Sequence, residues 1–484
     1  MRAYDKVIRV VKRAGLLESI EKILTWDMRV MMPEGAMTIR SQELVAIATA
    51  THRQLSSSHL GKHIQNAKQE KLTFEEQASI REIEWTYSRL QKVKQSLVTK
   101  RKEAHNKALH SWRLARNNNN FSEFEKQLDT IFKLSKKYAL SIKPYEKPYT
   151  TLIEDYEKDI PFEEIKELFL TIKKEVQEII KNHKSQDTKE ILGNYKTNPH
   201  TKEQFNTFFA RTIGFDFTKG RIDRSDRSFA SWYGRIVIRH DNTWFEDLST
   251  ILHESGHSMY TQGLDESKFA TPLGAKRSLG IDEAMAILWQ NNIGSSEAFW
   301  DFFYPHIKEH YNLPFEKETF LEQYNKVKNG FIRTKVSELY YPLHIIMRFE
   351  IEEEIINNNL ATKKIPKYWN QKNKEYFGIE PKNLQEGALQ DVHWAKGFIG
   401  YFPTYLLGSI IAAQLFEAIK KQIPDVEEQI REGNFKPIKE WLTKNIFIHG
   451  QKYSTKELIK KATGEDINPQ AYLTYLRKKY TTSS

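Results

Sequence analysis

The chain has 484 residues, no cysteine and a formal net charge of +11 from 74 Lys+Arg against 63 Asp+Glu. The absence of cysteine excludes a disulfide framework, a thiolate metal site and a cysteine nucleophile, so any metal must be held by His and carboxylates. No run approaches the ~18 apolar residues of a membrane span, and the spread-out Lys-rich segments carry no groove-reading motif, so neither a membrane nor a nucleic-acid partner is expected. From the N-terminus, Ile8, Val11, Leu16, Leu17 and Ile20 recur at helical spacing, with charges scattered through the same stretch. That stretch lacks the apolar run of a secretory signal, so a cytoplasmic location is expected. Further on, the Asn117–Asn120 run reads as a loop. Pro144 and Pro148 punctuate a junction, and Pro161 opens a helix carrying Phe162, Ile165, Leu168, Ile172, Val176 and Ile179. Strand-like alternation is confined mainly to Tyr233–His240. With no internal repeat or low-complexity linker, the expected architecture is mostly α: one large helical domain with a small β-sheet beside the helix that follows.

That helix carries His253-Glu254-Ser255-Gly256-His257, an H-E-x-x-H motif. Positions i and i+4 lie about 40° apart on one helical face, so both imidazoles reach one metal ion. Glu254, one step round, can reach a metal-bound water without being a ligand, the geometry of a general base. Thr243 and Glu246 form a capping box at the start of the helix. Trp244, Leu248, Ile251, Leu252, Ser255 and Met259 supply a buried stripe, and Gly263 stands at the expected C-terminal cap. Chance alone gives on the order of 0.03 such matches in a chain this long. A catalytic zinc needs a third protein ligand and an open position. Glu283, 26 residues beyond His257 in the apolar segment LGIDEAMAILWQNNIG, is the preferred ligand; Asp282 competes with it.

The surrounding residues resemble one family. Gly400-Tyr401-Phe402-Pro403-Thr404-Tyr405-Leu406-Leu407-Gly408 keeps a GYFPTYxxG signature, preceded by LQDVHWAKG at residues 389–397. Ile332-Arg333 opens a block followed by YPLHIIMRFEIE at residues 341–352, and Trp26-Asp27 with MMPEGA and Arg40 match near the N-terminus. Together with H-E-x-x-H, these are similar to the thermostable carboxypeptidase Taq family of zinc metallocarboxypeptidases. The resemblance implies a helical saddle with a deep active-site groove, with N-terminal helices (about 1–75) as a lid and a catalytic centre at about 205–410. It also implies a homodimer, a peptide substrate with a free C-terminus, and zinc, for which cobalt could substitute, on His253, His257 and Glu283.

Within that frame, Tyr405 is the expected oxyanion donor, with His393 and Tyr401 beside it in a Gly- and Pro-punctuated segment. Arg333 is expected to grip the substrate carboxylate through a bidentate contact. Arg348, placed in the same helical stretch, is the runner-up, and an ordinary ion pair with Glu338, Glu350 or Glu352 is the plain alternative. The chain departs from the family at four places. Arg227-Ser228-Phe229 stands for His-Pro-Phe, and Tyr233-Gly234-Arg235-Ile236-Val237 keeps only the Arg of Asp-x-Arg-x-Thr. Asp282-Glu283-Ala284 stands for His-Glu-Ser, and Ser337 replaces the block's Asp. The metal ligands and base are retained, whereas pocket walls differ. The expected function is therefore zinc-dependent removal of C-terminal residues. A catalytically weak zinc-binding relative that holds peptides is the alternative.

Overall fold

The computed structural model describes residues 1–183, 191–192, 195, 198–231 and 234–481. Among these, helices dominate, with three short strands. Four N-terminal helices, α1 (Ala3–Val30), α2 (Met37–Leu55), α3 (Ser58–Ala67) and α4 (Phe74–Lys92), come first. The Ser57 side chain caps α3 by accepting from the Leu60 amide, and Thr73 with Glu76 closes a capping box on α4. Val7, Leu60, Ile64, Ala67, Ile80 and Ile83 give these helices a small core of their own. Leu16 and Ile20, apolar and at helical spacing, are nevertheless 44% and 45% exposed, so that face of α1 is not spent on the core. A second, much larger core runs without a break from Ala104 to Tyr480.

The sheet has the order β1-β3-β2, with β1 (Arg221–Ser225) parallel and β2 (Phe229–Ser231) antiparallel to β3 (Arg235–Arg239). The strand forms where the alternation predicts one, but Ile236, Val237 and Ile238 of β3 are all buried, so this central strand is covered on both faces instead of alternating; Tyr233 lies outside the described residues. The sheet ties α1 to the body: Arg235 and Arg221 stack on Trp26 at 4.0 and 5.5 Å, and Ser225 Oγ donates to the Arg29 carbonyl. Asp27 is held by Arg40 at 2.7 Å, which closes the turn between α1 and α2.

The motif helix spans Trp244–Gln262, and its capping box forms as expected. It ends at Gly263, but not in the left-handed conformation that a glycine cap suggests: φ is −94°. The glycine is required instead by packing, because a Cβ there would press into the Phe447 ring. Arg333 and Arg348 do not share a helix. Arg333 sits in a short 3₁₀ turn (Arg333–Lys335), and Arg348 in the helix Tyr341–Ile356, whose start is set by Pro342 in the first turn. Among the described residues, no helix is long and apolar enough to cross a membrane.

Candidate metal centre and substrate groove

A groove of about 930 Å³ opens between the N-terminal helices and the body. Val11, Ala14, Ile83 and Tyr87 line one wall; the motif helix and the signature segment line the other. On the floor, one ligand atom each from His253, His257 and Glu283 lies within 4.8 Å of the others. Glu283 Oε2 is 3.8 Å from His257 Nε2. The helix Leu279–Ile287 brings Glu283 in, its start capped by the Ser278 side chain. It can approach the motif helix this closely because Gly256 carries no side chain; a Cβ there would be 2.7 Å from Ala286 Cα. On the opposite side, Gly408 lets the helix Pro403–Gln422 pass against Glu283, where a Cβ would be 2.6 Å from Glu283 Cγ.

Both imidazoles are oriented through Nδ1. His257 Nδ1 pairs with Asp282 Oδ1 at 2.9 Å, and His253 Nδ1 with Gln290 Oε1 at 2.8 Å. Gln290 is in turn fixed by its donation to Ser249 Oγ. It sits in a π-helical turn, Leu288–Ile293, that continues the Glu283 helix. Such turns re-aim a side chain within an otherwise regular helix. Nε2 of each ring is left to face the cluster, the arrangement that orients metal-bound histidines. Asp282 is thus a partner of His257 and of Lys276, 2.6 Å away. Burial works against ionising both members of the pair. Asp282, aided by Glu283, nevertheless holds the His257 imidazole up to about 9, and His257 and Lys276 hold the Asp282 carboxyl well below the usual range. These carboxylates favour positive charge at this spot, whether a proton or a metal ion. Two His and one Glu, with Nε2 atoms convergent and no thiolate, fit a divalent ion with an open position. Glu254 lines the same groove, only 7% exposed, and burial raises its carboxyl above the ordinary value.

Across the groove, His393 Nε2 is 3.1 Å from Tyr405 Oη, and the Tyr401 and Tyr405 rings lie 5.3 Å apart. Burial keeps His393 neutral, down to about 3, and raises both phenols above their usual value. His393, Tyr401 and Tyr405 therefore share one cavity with the cluster. Arg333 does not line this cavity. It lies behind Tyr405, 5.0 Å from that ring, and donates to Tyr341 Oη (2.9 Å) and to Asp391 Oδ1 (3.3 Å). Arg348 is fully buried and donates to Asp391 Oδ2 at 2.7 Å. Asp391 thus serves both arginines, and none of Glu338, Glu350 and Glu352 does. Glu352 instead accepts from Trp394 Nε1, the Gly400 amide and Tyr149 Oη at 2.7, 2.8 and 2.9 Å. It pins both ends of the loop that carries His393 toward Tyr401.

Asp391, Glu352, Gln290 and Gly408 are supporting residues that pattern reading did not assign. Asp391, Glu352 and Gly408 lie inside the family blocks; Gln290 has no sequence signal beyond its place after Glu283.

A helical body, a peptide-wide groove and a two-histidine, one-glutamate cluster beside a buried carboxyl define a metallopeptidase. Residues 6–480 match the family described as carboxypeptidase Taq (M32) metallopeptidase, and the chain belongs to that family. It is 31% identical to thermostable carboxypeptidase 1 of Pyrococcus furiosus, over 98% of each chain, and 30% identical to carboxypeptidase 1 of Bacillus subtilis, over 99% of each. The M32 carboxypeptidase of Deinococcus radiodurans superposes with a TM-score of 0.94 at 26% identity, covering 99% of this chain and 98% of that one. The protein is accordingly a metallocarboxypeptidase, a peptide hydrolase that depends on a divalent metal.

Proposed function

We propose that His253, His257 and Glu283 hold zinc, and that Glu254 is the general base for hydrolysis of the C-terminal peptide bond. The observation that carries this reading is the convergence of the three ligand atoms with both histidine Nδ1 atoms already engaged. Zinc bound there lowers the pKa of a water molecule and polarises the scissile carbonyl; cobalt could do the same. Glu254 then takes the water proton and returns it to the leaving amine, a role suited to a carboxyl that burial makes a stronger base than an ordinary carboxylate. Tyr405 donates to the developing oxyanion, its hydroxyl held by His393, while Tyr401 packs against the substrate beside it. Arg333 meets the terminal carboxylate once the Tyr405 ring, 5.0 Å from the guanidinium, swings aside as the peptide binds. Three of its five N–H donors are engaged by Asp391 and Tyr341, which leaves two to grip an anion and fixes the plane of the guanidinium. Helices α1–α4 act as a lid over a peptide that is short or unfolded. The protein works in the cytoplasm as a homodimer.

The test uses the purified, zinc-loaded protein and an N-terminally blocked peptide with a free C-terminus. Release of the last amino acid supports the reading, and so does loss of stoichiometric zinc in His257→Ala. Full zinc occupancy without turnover would leave a peptide-binding relative instead.

A further inference from the structure

Most charges in the groove are neutralised locally. Glu82 is held by two bonds from Arg277 at 3.1 Å, Lys276 by Asp282, and Glu18 faces Lys22. Glu254 and Glu283 belong to the metal centre. Three cations remain. Arg29 ends α1, Arg227 lies in the loop between β1 and β2, and Lys396 follows His393 by three residues; all three line the same cavity. Among the described residues, Arg29 and Lys396 make no ion pair. Asp226 pairs with Arg227 at 3.8 Å and also acts on Arg29 and Lys396, but its side chain is 76% exposed, so one solvated carboxylate faces three cations.

Three cations against one exposed carboxylate still repel one another. Lys396 shows the effect: burial first, then Arg227, Arg29 and Arg113, lower its ammonium to about 8. Arg29 is likewise lowered by burial and by Arg227. The cations are nevertheless held in place by aromatic contacts, with Arg29 over Phe229 at 5.1 Å and Lys396 over Phe398 at 5.9 Å. Phe398 stacks on Tyr401 in turn, which connects the cluster to the reaction side of the groove. A held cationic cluster that keeps a net positive charge in a binding groove has the chemistry to recognise an anion.

We propose that Arg29, Arg227 and Lys396 form a subsite for acidic side chains of the peptide substrate, so that this carboxypeptidase favours peptides carrying Asp or Glu near the scissile bond. The inference rests on the groove being the peptide site. It concerns side chains, not the terminal carboxylate, which every substrate of the reaction carries.

The test is a series of blocked, free-acid peptides of one length in which Glu, Gln or Lys occupies each of the last few positions in turn. At low salt, kcat/KM should rank Glu over Gln over Lys at one position, with Glu ahead of Gln by at least about fivefold, the size of one partly screened ion pair. High salt should shrink that ratio. Lys396→Gln combined with Arg29→Gln should bring it close to unity, and Arg227→Gln should act in the same direction. Zinc content and circular dichroism report whether these variants fold. Equal constants for Glu and Gln peptides at every position, unmoved by salt, would overturn the subsite while leaving the carboxypeptidase reading intact. Failure to cleave any peptide of the series would overturn both.

Discussion

The proposed metal centre depends on a missing side chain 125 residues away from Glu283, one of its proposed ligands. A Cβ at Gly408 would stand 2.6 Å from Glu283 Cγ and 2.7 Å from Glu283 Cβ, where ordinary contact begins at 3.4 Å. Gly408→Ala therefore demands a displacement of about 0.8 Å, the difference between 3.4 and 2.6 Å. Zinc sites tolerate about 0.2 Å in ligand distance, so Glu283 cannot absorb the shift and still coordinate. The alternative is for the helix Pro403–Gln422 to move away. That helix is buried along most of its length, and overpacking of this kind costs typically about 1–3 kcal/mol. Either route weakens the proposed third ligand, and a loss of zinc affinity of at least about tenfold is expected, comparable to damage among the groups that orient metal ligands. A competitive chelator titration measures the affinity, and thermal unfolding of the zinc-loaded protein measures the cost to the fold. A Gly408→Ala protein with unchanged zinc affinity and unchanged Tm would refute the close approach of the two helices at Glu283.

Three further outcomes are expected. Glu254→Gln keeps size and shape but cannot accept the proton; it should retain zinc by metal analysis while turnover falls at least about 10²-fold, and near-normal turnover would assign the base elsewhere. Arg333→Ala should erase the preference for a free over an amidated C-terminus, lowering kcat/KM on the free acid by roughly 10- to 150-fold with little change on the amide. If wild type cleaves both forms equally, Arg333 does not read the carboxylate. Glu352→Ala leaves Trp394 Nε1, the Gly400 amide and Tyr149 Oη without their buried acceptor, at about 1–3 kcal/mol each, so it should lower the unfolding free energy by about 3 kcal/mol or more. Denaturant unfolding checks that value, and a change below about 1 kcal/mol would mean that water replaces the carboxylate.

The groups that attend the two arginines show how tertiary structure settles a question of partners. Spacing along the chain offered Glu338, Glu350 and Glu352 as counter-ions. In the fold, Glu338 accepts from Tyr475 and Tyr480 and pairs with Lys479, Glu350 pairs with Lys372, and Glu352 anchors the His393 loop. The arginines converge on Asp391, 58 residues beyond Arg333. A buried guanidinium takes whichever carboxylate the packing delivers, because leaving either charge alone in the interior is costly.

Local chemistry could be read from the amino-acid order alone. The H-E-x-x-H spacing sets two imidazoles and a carboxyl on one helical turn because the helix repeats every ~3.6 residues, and Thr243 with Glu246 starts that helix because a side chain must satisfy its free amides. The strand-like stretch at Tyr233–His240 likewise located β3, although its three central residues are buried in a row instead of alternating. What the order could not disclose is which distant segments meet. Glu283 and Asp282 are adjacent and equally acidic, and only the angle between two helices, set by the bare surface of Gly256, turns one toward the cluster and the other onto His257 Nδ1. Gly263 stands where a helix ends, yet its necessity comes from a phenylalanine at position 447. The three cations of the groove span nearly 370 residues of the chain, from Arg29 to Lys396, and carry no pattern at all. Periodicity and capping act over a few residues through backbone geometry, whereas partner choice, ligand orientation and gathered like charge arise from close packing between elements that the chain brings together only on folding.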